Sequence, residues 1–286
     1  MVELPVKCVG IYWNSTKASG LEVARRLIES LRRRGAQVCV DSELSRALGD
    51  PNVLTEAFER CQLMIVLGGD GTILSSLEKA IPNDLPILGV NLGRLGFLTE
   101  LEVGELDETL LDRVLAGDYA IDERMTLCLE GYDSLSMFAL NDITITREFT
   151  GVRVLSLEYE ADGALLDHIS ADGLIVATAT GSTAYSLSAG GPIVMPGLNC
   201  FVITPICPHT LNARPIVVPS ESRITVRILD DRGGAQAVVD GRKKVSMTLN
   251  APEITIRRSD RPARFVRLRE RNYFELLRSK LSEWTH

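Results

Sequence analysis

The sequence predicts an α/β first domain with a parallel sheet, a mainly β second domain, and a last helix that returns to the first. Three observations predict this. Across residues 1–120, apolar runs of strand length alternate with amphipathic helical runs. Across residues 121–268, short runs rich in Val, Ile, Leu and Thr alternate with turn dipeptides. Over residues 269–286 helical spacing returns.

Taken in order, residues 6–13 read as a buried strand. Residues 20–34 read as a helix with Leu21, Ala24, Leu27, Ile28 and Leu31 on one face, closed by Gly35. Residues 37–41 form a second strand and residues 53–61 a short helix. Residues 62–67 form a third, wholly apolar strand that ends in glycines, and a helix opens directly after it over residues 72–81. Residues 86–90 form a fourth strand. Residues 105–115 form a helix striped by Leu106, Leu110, Leu111 and Leu115. Strands alternating with helices imply a parallel sheet covered on both faces. Beyond residue 120, strands are expected over residues 126–130, 137–140, 152–160, 174–177, 223–229, 235–239 and 253–258. The dipeptides Asp162-Gly163, Gly233-Gly234 and Asp240-Gly241 supply turns. One helix interrupts the strands at residues 182–188, and a last helix over residues 272–284 carries Phe274, Leu277, Leu281 and Trp284 on one side.

A chain of 286 residues fits two lobes better than one. Its 38 acidic against 31 basic residues, net charge −7, leave no electrostatic footprint for nucleic acid. The six cysteines form no C-x-x-C pair and there are three histidines, which disfavours a zinc site. Cysteines within apolar runs fit a reducing compartment. No apolar run reaches membrane-spanning length, and the N-terminal stretch lacks the apolar core of a signal peptide, so a cytoplasmic protein with no membrane partner is expected. The arginines at 257, 258, 261, 264, 267, 269 and 271 read as a solvated strand face with interface pairs.

The turn Gly68-Gly69-Asp70-Gly71-Thr72 joins the third strand to the following helix. Helix N-termini present unpaired N–H groups to anions, and glycines allow a close backbone approach. The carboxyl end of a strand in such a sheet is where ligands bind. The aspartate repels phosphate, so its chemistry lies elsewhere, in accepting a proton, binding a sugar hydroxyl or holding a metal. Read alone, Asp70 serves equally well as a helix cap. Neither G-x-x-x-x-G-K-[ST] nor G-x-G-x-x-G occurs in the chain.

Gly68-Gly69-Asp70-Gly71-Thr72 is similar to the motif shared by NAD kinases, diacylglycerol and sphingosine kinases and, more loosely, phosphofructokinases. The run Asn91-Leu92-Gly93-Arg94-Leu95-Gly96-Phe97-Leu98-Thr99 resembles NAD kinases in particular. So does the run from Thr178 through Thr180-Gly181-Ser182-Thr183-Ala184-Tyr185 to Ser188-Ala189-Gly190-Gly191-Pro192, with Ala179 where the family often has proline. Asn141-Asp142 stands where the family usually has Asn-Glu. Arg214-Pro215-Ile216-Val217-Val218-Pro219 and Val239-Asp240-Gly241-Arg242 resemble further family segments, although Asp-Gly suffices as a hairpin turn without any other role.

The resemblance implies transfer of the γ-phosphoryl group of ATP to the 2′-hydroxyl of the adenosine ribose of NAD. Asp70 would be the catalytic acceptor of the hydroxyl proton. Gly69, Gly71 and Thr72 would hold phosphates. Phe97, Asn141, Asp142, Asp172, Thr180, Thr183, Ala184, Tyr185 and Ser188 would bind the dinucleotide. Mg2+ or another divalent metal ion would accompany the triphosphate, with polyphosphate as the alternative donor. A cleft completed by another subunit implies a homodimer or homotetramer. Two rival functions stand beside this one: a lipid kinase, which needs an apolar entry for acyl chains, and a non-catalytic NAD(H) sensor, which needs no carboxylate at the phosphate end.

Overall fold

The computed structural model describes residues 6–16, 18–93, 96–132, 137–148, 154–230, 234–270 and 272–283. The chain divides into two units, Met1–Glu123 with Ala263–His286, and Arg124–Pro262.

The first unit contains β1 (Cys8–Trp13), α1 (Ala18–Arg33), β2 (Gln37–Val40), α2 (Ser42–Leu48), β3 (Leu54–Thr55), β4 (Leu63–Leu67), α3 (Asp70–Ala80), β5 (Ile87–Asn91), β6 (Leu101–Glu102), α4 (Glu108–Leu115) and β7 (Ala120–Arg124). A late strand, β20 (Ala263–Arg267), joins the same sheet, whose order is β3-β2-β1-β4-β5-β20-β7 with β6 on β5. β1 runs parallel to β2 and β4, and β4 runs parallel to β5. β4 and β5 are buried along their whole length, as strands covered on both faces must be. Val23, Ala24, Leu27, Ile28 and Leu31 of α1 enter the core on one face. The helix closes at Gly35, in the left-handed conformation at φ 81°, where the amide of Ala36 reaches the carbonyl of Leu31 at 3.1 Å.

Several stretches differ from the sequence expectation, which named no strand at β6, β7 or β20. Residues 53–61 form no α-helix. β3 pairs with Cys39 and Val40, Glu56 turns at φ 55° with its amide on the Val40 carbonyl, and Phe58–Arg60 is a single 3-10 turn. The open edge of β2 captures the segment, and that pairing overrides helix propensity. In addition, α2 is an element that periodicity omits. It is set by capping: the Asp41 side chain accepts from the Leu44 amide at 2.6 Å, and Gly49 ends it at φ 63°.

The arginine-rich stretch is not uniformly solvated. Arg267 in β20 meets Glu100 at 3.1 Å and Asp122 at 2.9 Å, and the Leu268 amide donates to Glu100 at 3.1 Å. Arg264 pairs with Asp84 and Arg269 with Glu105. Arg271 and Trp284 lie outside the described residues. The last helix, α6 (Tyr273–Glu283), leaves Phe274 65% exposed while Leu277 and Leu281 are half-buried, so its predicted stripe is only partly covered.

The second unit is a sandwich of two antiparallel sheets. One sheet has the order β15-β14-β13-β10-β17-β18, from β10 (Asp142–Arg147), β13 (Gly173–Thr178), β14 (Cys200–Ile206), β15 (Ile216–Pro219), β17 (Ala235–Val239) and β18 (Lys243–Met247). The other has the order β12-β11-β16-β19-β8-β9, from β8 (Leu127–Leu129), β9 (Phe138–Ala139), β11 (Leu155–Ala161), β12 (Ala164–Ala171), β16 (Ile224–Ile228) and β19 (Glu253–Arg258). Alternating residues of both sheets fill the core between them, among them Ile143, Ile145, Leu174 and Val176 against Leu157, Tyr159, Val226 and Ile256. Residues 152 and 153 of one expected strand, and Gly233 of an expected turn, lie outside the described residues.

Glu100 has no side-chain exposure, so the cation beside it matters. Arg267→Met should lower the stability of the first unit by about 3–5 kcal/mol, the cost of breaking one partner from a buried pair. Urea unfolding followed by intrinsic fluorescence measures it, and a loss below about 1 kcal/mol would mean that the pair carries little.

Candidate functional site

In the first unit, β4 runs into Gly68 and Gly69, and Gly69, not Asp70, is the N-cap residue of α3. Asp70 is the first helical residue, and its side chain leaves its own helix. One carboxylate oxygen accepts from the Phe97 amide at 2.8 Å and the other from the Leu98 amide at 3.0 Å. The capping role for Asp70 is therefore replaced by a longer-range one. The loop that supplies the amides is itself fixed, since the Gly96 amide donates to the Thr99 hydroxyl at 2.8 Å and the Glu100 amide to the Gly89 carbonyl at 2.8 Å. A Cβ on Gly96 would stand 2.1 Å from the Asp70 carboxylate, so only glycine permits this approach.

Each carboxylate oxygen keeps a second lone pair for another donor. Over Gly69 and Gly71 an added Cβ would meet nothing within 4 Å, so the space above the helix N-terminus is open. Thr72 is buried and turned back against Gly68. Phe97 contributes its backbone amide to the cluster. Arg94 and Leu95, inside the motif that precedes it, lie outside the described residues.

In the second unit, β10 is the strand between β13 and β17. Its period of two sends Ile143 and Ile145 into the sandwich core and Asp142, Thr144 and Thr146 to the opposite face. A cavity of about 320 Å³ opens there, lined by Asn141, Asp142, Thr144, Thr146, Ala184, Tyr185, Val238, Asp240 and Gly241. The expected residues Asn141, Asp142, Ala184 and Tyr185 thus come together.

Tyr185 is 45% exposed and not part of the core. Burial first, then the charges of Cys207, Asp142 and Asp172, push its phenol upward. Thr180, Thr183, Asp172 and Ser188 do not line this cavity. Thr180 accepts from Arg124 at 3.3 Å, Thr183 donates to the Thr180 carbonyl at 3.3 Å, and Asp172 accepts from Arg147 at 3.0 Å. Ser188 is exposed. Ser182 is buried and consumed internally by Ala179 and Val194, so it offers no hydroxyl to a ligand.

The turn after β13 comprises a 3-10 segment (Thr180–Thr183) and the short α5 (Tyr185–Ser188), in place of one helix over residues 182–188. It is stapled to Asn141. The Thr178 amide donates to the Asn141 carbonyl at 2.8 Å, and a Cβ on Gly181 would fall 2.0 Å from that oxygen.

Sequence reasoning missed Thr144, Thr146 and Val238, and took Asp240 and Gly241 for a turn alone. Counting every second residue from Asp142 would have found the two threonines, whereas Val238 arrives only through strand pairing, opposite Thr144.

Among the described residues no group of three or more His, Cys, Asp or Glu side chains converges as a metal site.

An α/β unit with a glycine turn at a helix N-terminus and a carboxylate held beside it defines an anion-binding α/β protein without a P-loop. Known proteins narrow that class. Residues 9–119 match the model of the ATP-NAD kinase N-terminal domain, and residues 140–268 that of the ATP-NAD kinase C-terminal domain. The chain is 40% identical over 281 residues to the NAD kinase of Heliobacterium modesticaldum, covering 96% of this chain and 98% of that one. It is 43% identical over 266 residues to the NAD kinase of Geobacter sulfurreducens, covering 91% and 92%. Yeast NADH kinase complexed with NADH superposes with a TM-score of 0.81 at 29% identity, covering 93% of this chain and 84% of that one. An Archaeoglobus fulgidus NAD kinase in complex with ATP gives 0.73 at 31%, covering 90% and 92%. The chain belongs to the NAD kinase family.

Burial, reinforced by the charge of Asp240 and opposed by the Thr144 hydrogen bond, pushes the Asp142 carboxyl from 3.8 up to about 6. Between those two values the folded chain holds a proton that the unfolded chain has released, so stability falls as pH rises through that window. The penalty is complete above it. Asp142→Asn should therefore stabilise the protein at pH 7.5 by roughly 1–3 kcal/mol, an advantage that shrinks as pH falls below about 6. Thermal melts across pH measure this, and a variant less stable than the parent at pH 7.5 would show that charge burial is not the controlling cost.

Proposed function

We propose that this chain transfers the γ-phosphoryl group of ATP to the 2′-hydroxyl of the adenosine ribose of NAD, giving NADP with ADP as the leaving group. The observation that carries the reading is the Asp70 carboxylate, fixed by the amides of Phe97 and Leu98 beside the open glycine turn. In this reading Asp70 accepts the hydrogen bond of the 2′-hydroxyl, aligns its oxygen and takes its proton as the new ester bond forms. The N–H groups at the start of α3, at Gly69 and Gly71, hold the incoming phosphates against the positive end of the helix, while the Thr72 amide is taken by the Gly69 carbonyl at 2.9 Å. Mg2+ on the triphosphate would offset repulsion between Asp70 and the transferring group.

The dinucleotide is assigned to the second unit. Asn141 carries a donor and an acceptor suited to an adenine edge, and Asp142 offers a carboxylate for ribose hydroxyls. Tyr185 supplies an exposed ring face for stacking, and Ala184 beside it leaves room. Asp172, Thr180, Thr183 and Ser188 lie outside that cavity, and in this reading Asp172 faces the nicotinamide or shapes the pocket. The yeast and archaeal structures, named for NADH and ATP, support both substrate assignments. The reading as a lipid kinase is disfavoured by the family models, which match both parts of the chain to ATP-NAD kinase domains.

The chain is assigned to the cytoplasm and to a homodimer or homotetramer. All six cysteines are free thiols, in keeping with a reducing compartment. Among the described residues no helix is long and apolar enough to cross a membrane.

Asp70→Asn tests the mechanism. Turnover of NAD to NADP with ATP and Mg2+ should fall about 10²–10⁴-fold while the KM for NAD stays close to the parent value. Turnover near the parent level would remove Asp70 from the chemistry.

A further inference from the structure

We propose that Asp240 is a positioning residue for dinucleotide recognition: its carboxylate holds the Asn141-Asp142 step in the geometry that meets the ligand. This rests on the reading of Asn141 and Asp142 as dinucleotide contacts.

By sequence, Asp240-Gly241 is a turn and nothing more. Both residues do adopt left-handed backbone, at φ 45° and 68°, as a tight hairpin between β17 and β18 requires. A turn of this type accepts Asn-Gly as readily as Asp-Gly, and a tip side chain ordinarily faces water. The Asp240 side chain instead has no exposure. One of its oxygens accepts from the Leu140 amide at 2.8 Å. The other accepts from the Asn141 amide at 2.8 Å and from the Asp142 amide at 3.2 Å. In return the Asp240 amide donates to the Asp142 carbonyl at 3.0 Å.

The reason lies in the topology. β9 pairs with β8 in one sheet, whereas β10 lies in the other, so the chain changes sheets at Leu140 and Asn141. There the backbone has no regular ladder, and buried backbone groups must find partners elsewhere. Asp240 supplies the acceptors for the amides. Thr178 supplies the donors, its hydroxyl to the Leu140 carbonyl at 2.6 Å and its amide to the Asn141 carbonyl at 2.8 Å. Both polar faces of the step are thereby satisfied before any ligand arrives, which is the condition for a pre-organised contact.

The charge also acts on Asp142. The groups facing the Asp142 carboxyl are the Asp240 carboxylate from the hairpin, the Thr144 hydroxyl on its own strand and the Tyr185 phenol from α5, with the Arg242 guanidinium 3.8 Å from Asp240. The hairpin carboxylate thus helps set the pH at which Asp142 ionises to receive ribose hydroxyls.

Asp240→Asn keeps the turn and one acceptor oxygen, but sets an NH2 group against a backbone amide. The KM for NAD should rise roughly tenfold or more with the KM for ATP unchanged. The acid limb of kcat/KM for NAD, which follows Asp142, should move to lower pH once the neighbouring charge is gone. A side chain that only stabilises the hairpin would lower the melting temperature and leave that midpoint in place. Asn141→Ala and Asp142→Asn run in parallel. If neither raises the KM for NAD, the assignment of those residues to the dinucleotide fails. If both raise it while Asp240→Asn matches the parent in KM and midpoint, the positioning role fails. Should Asp240→Asn not fold, hydrogen exchange on the parent decides. The amides of residues 140–142 should be strongly protected without NAD, and fast exchange there would overturn the proposal.

Discussion

The first unit depends on how the Asp70 carboxylate is held beside the open glycine turn. In the proposed reading that turn takes phosphate, and two negative groups repel, so the acid has to be held by something other than the ligand. Here the holding is done by backbone: the amides of Phe97 and Leu98 each bind one oxygen of Asp70, across 27 and 28 residues of sequence. Backbone amides carry no net charge. They anchor the carboxylate without the full cation that a lysine or arginine would bring, and each oxygen keeps room for another donor. The glycine at 96 is the steric condition for this contact, and the buried pair of Glu100 and Arg267 fixes the chain just beyond it.

The second unit solves a different problem. A sandwich gives each strand one face for its core and one for other uses, and β10 uses that division fully. Its isoleucines face inward, while an aspartate and two threonines face the cavity. Burying Asp142 is costly, which is why its carboxyl is displaced toward neutral pH. The protein bears that cost and surrounds the carboxylate with well-satisfied backbone.

Much of this was legible in the chain. Wholly apolar strands followed by glycines, amphipathic helices and the later run of turn dipeptides gave the two architectures in the right order. The ordered motifs from Gly68 to Thr72, from Asn91 to Thr99 and from Thr178 to Pro192 pointed to the NAD kinase family, to which the chain belongs. Local chemistry also misled in places. Residues 53–61 look helical in isolation, yet an unpaired strand edge beside them forms a stronger partner. Asp70 looks like a cap and Asp240 like a turn residue, because spacing along the chain does not reveal which distant amides a side chain will meet.

The sequence by itself determined most element types, the two sheet classes and the family, because hydrophobic period, turn residues and ordered motifs are local properties of the chain. Only the tertiary structure decided that Asp70 binds a loop, that Tyr185 lies open at a cavity and Ser182 does not, and that Asp240 joins residues about a hundred positions away. Those outcomes depend on which buried donors find which acceptors. That pairing is a property of the folded backbone as a whole and of no single segment.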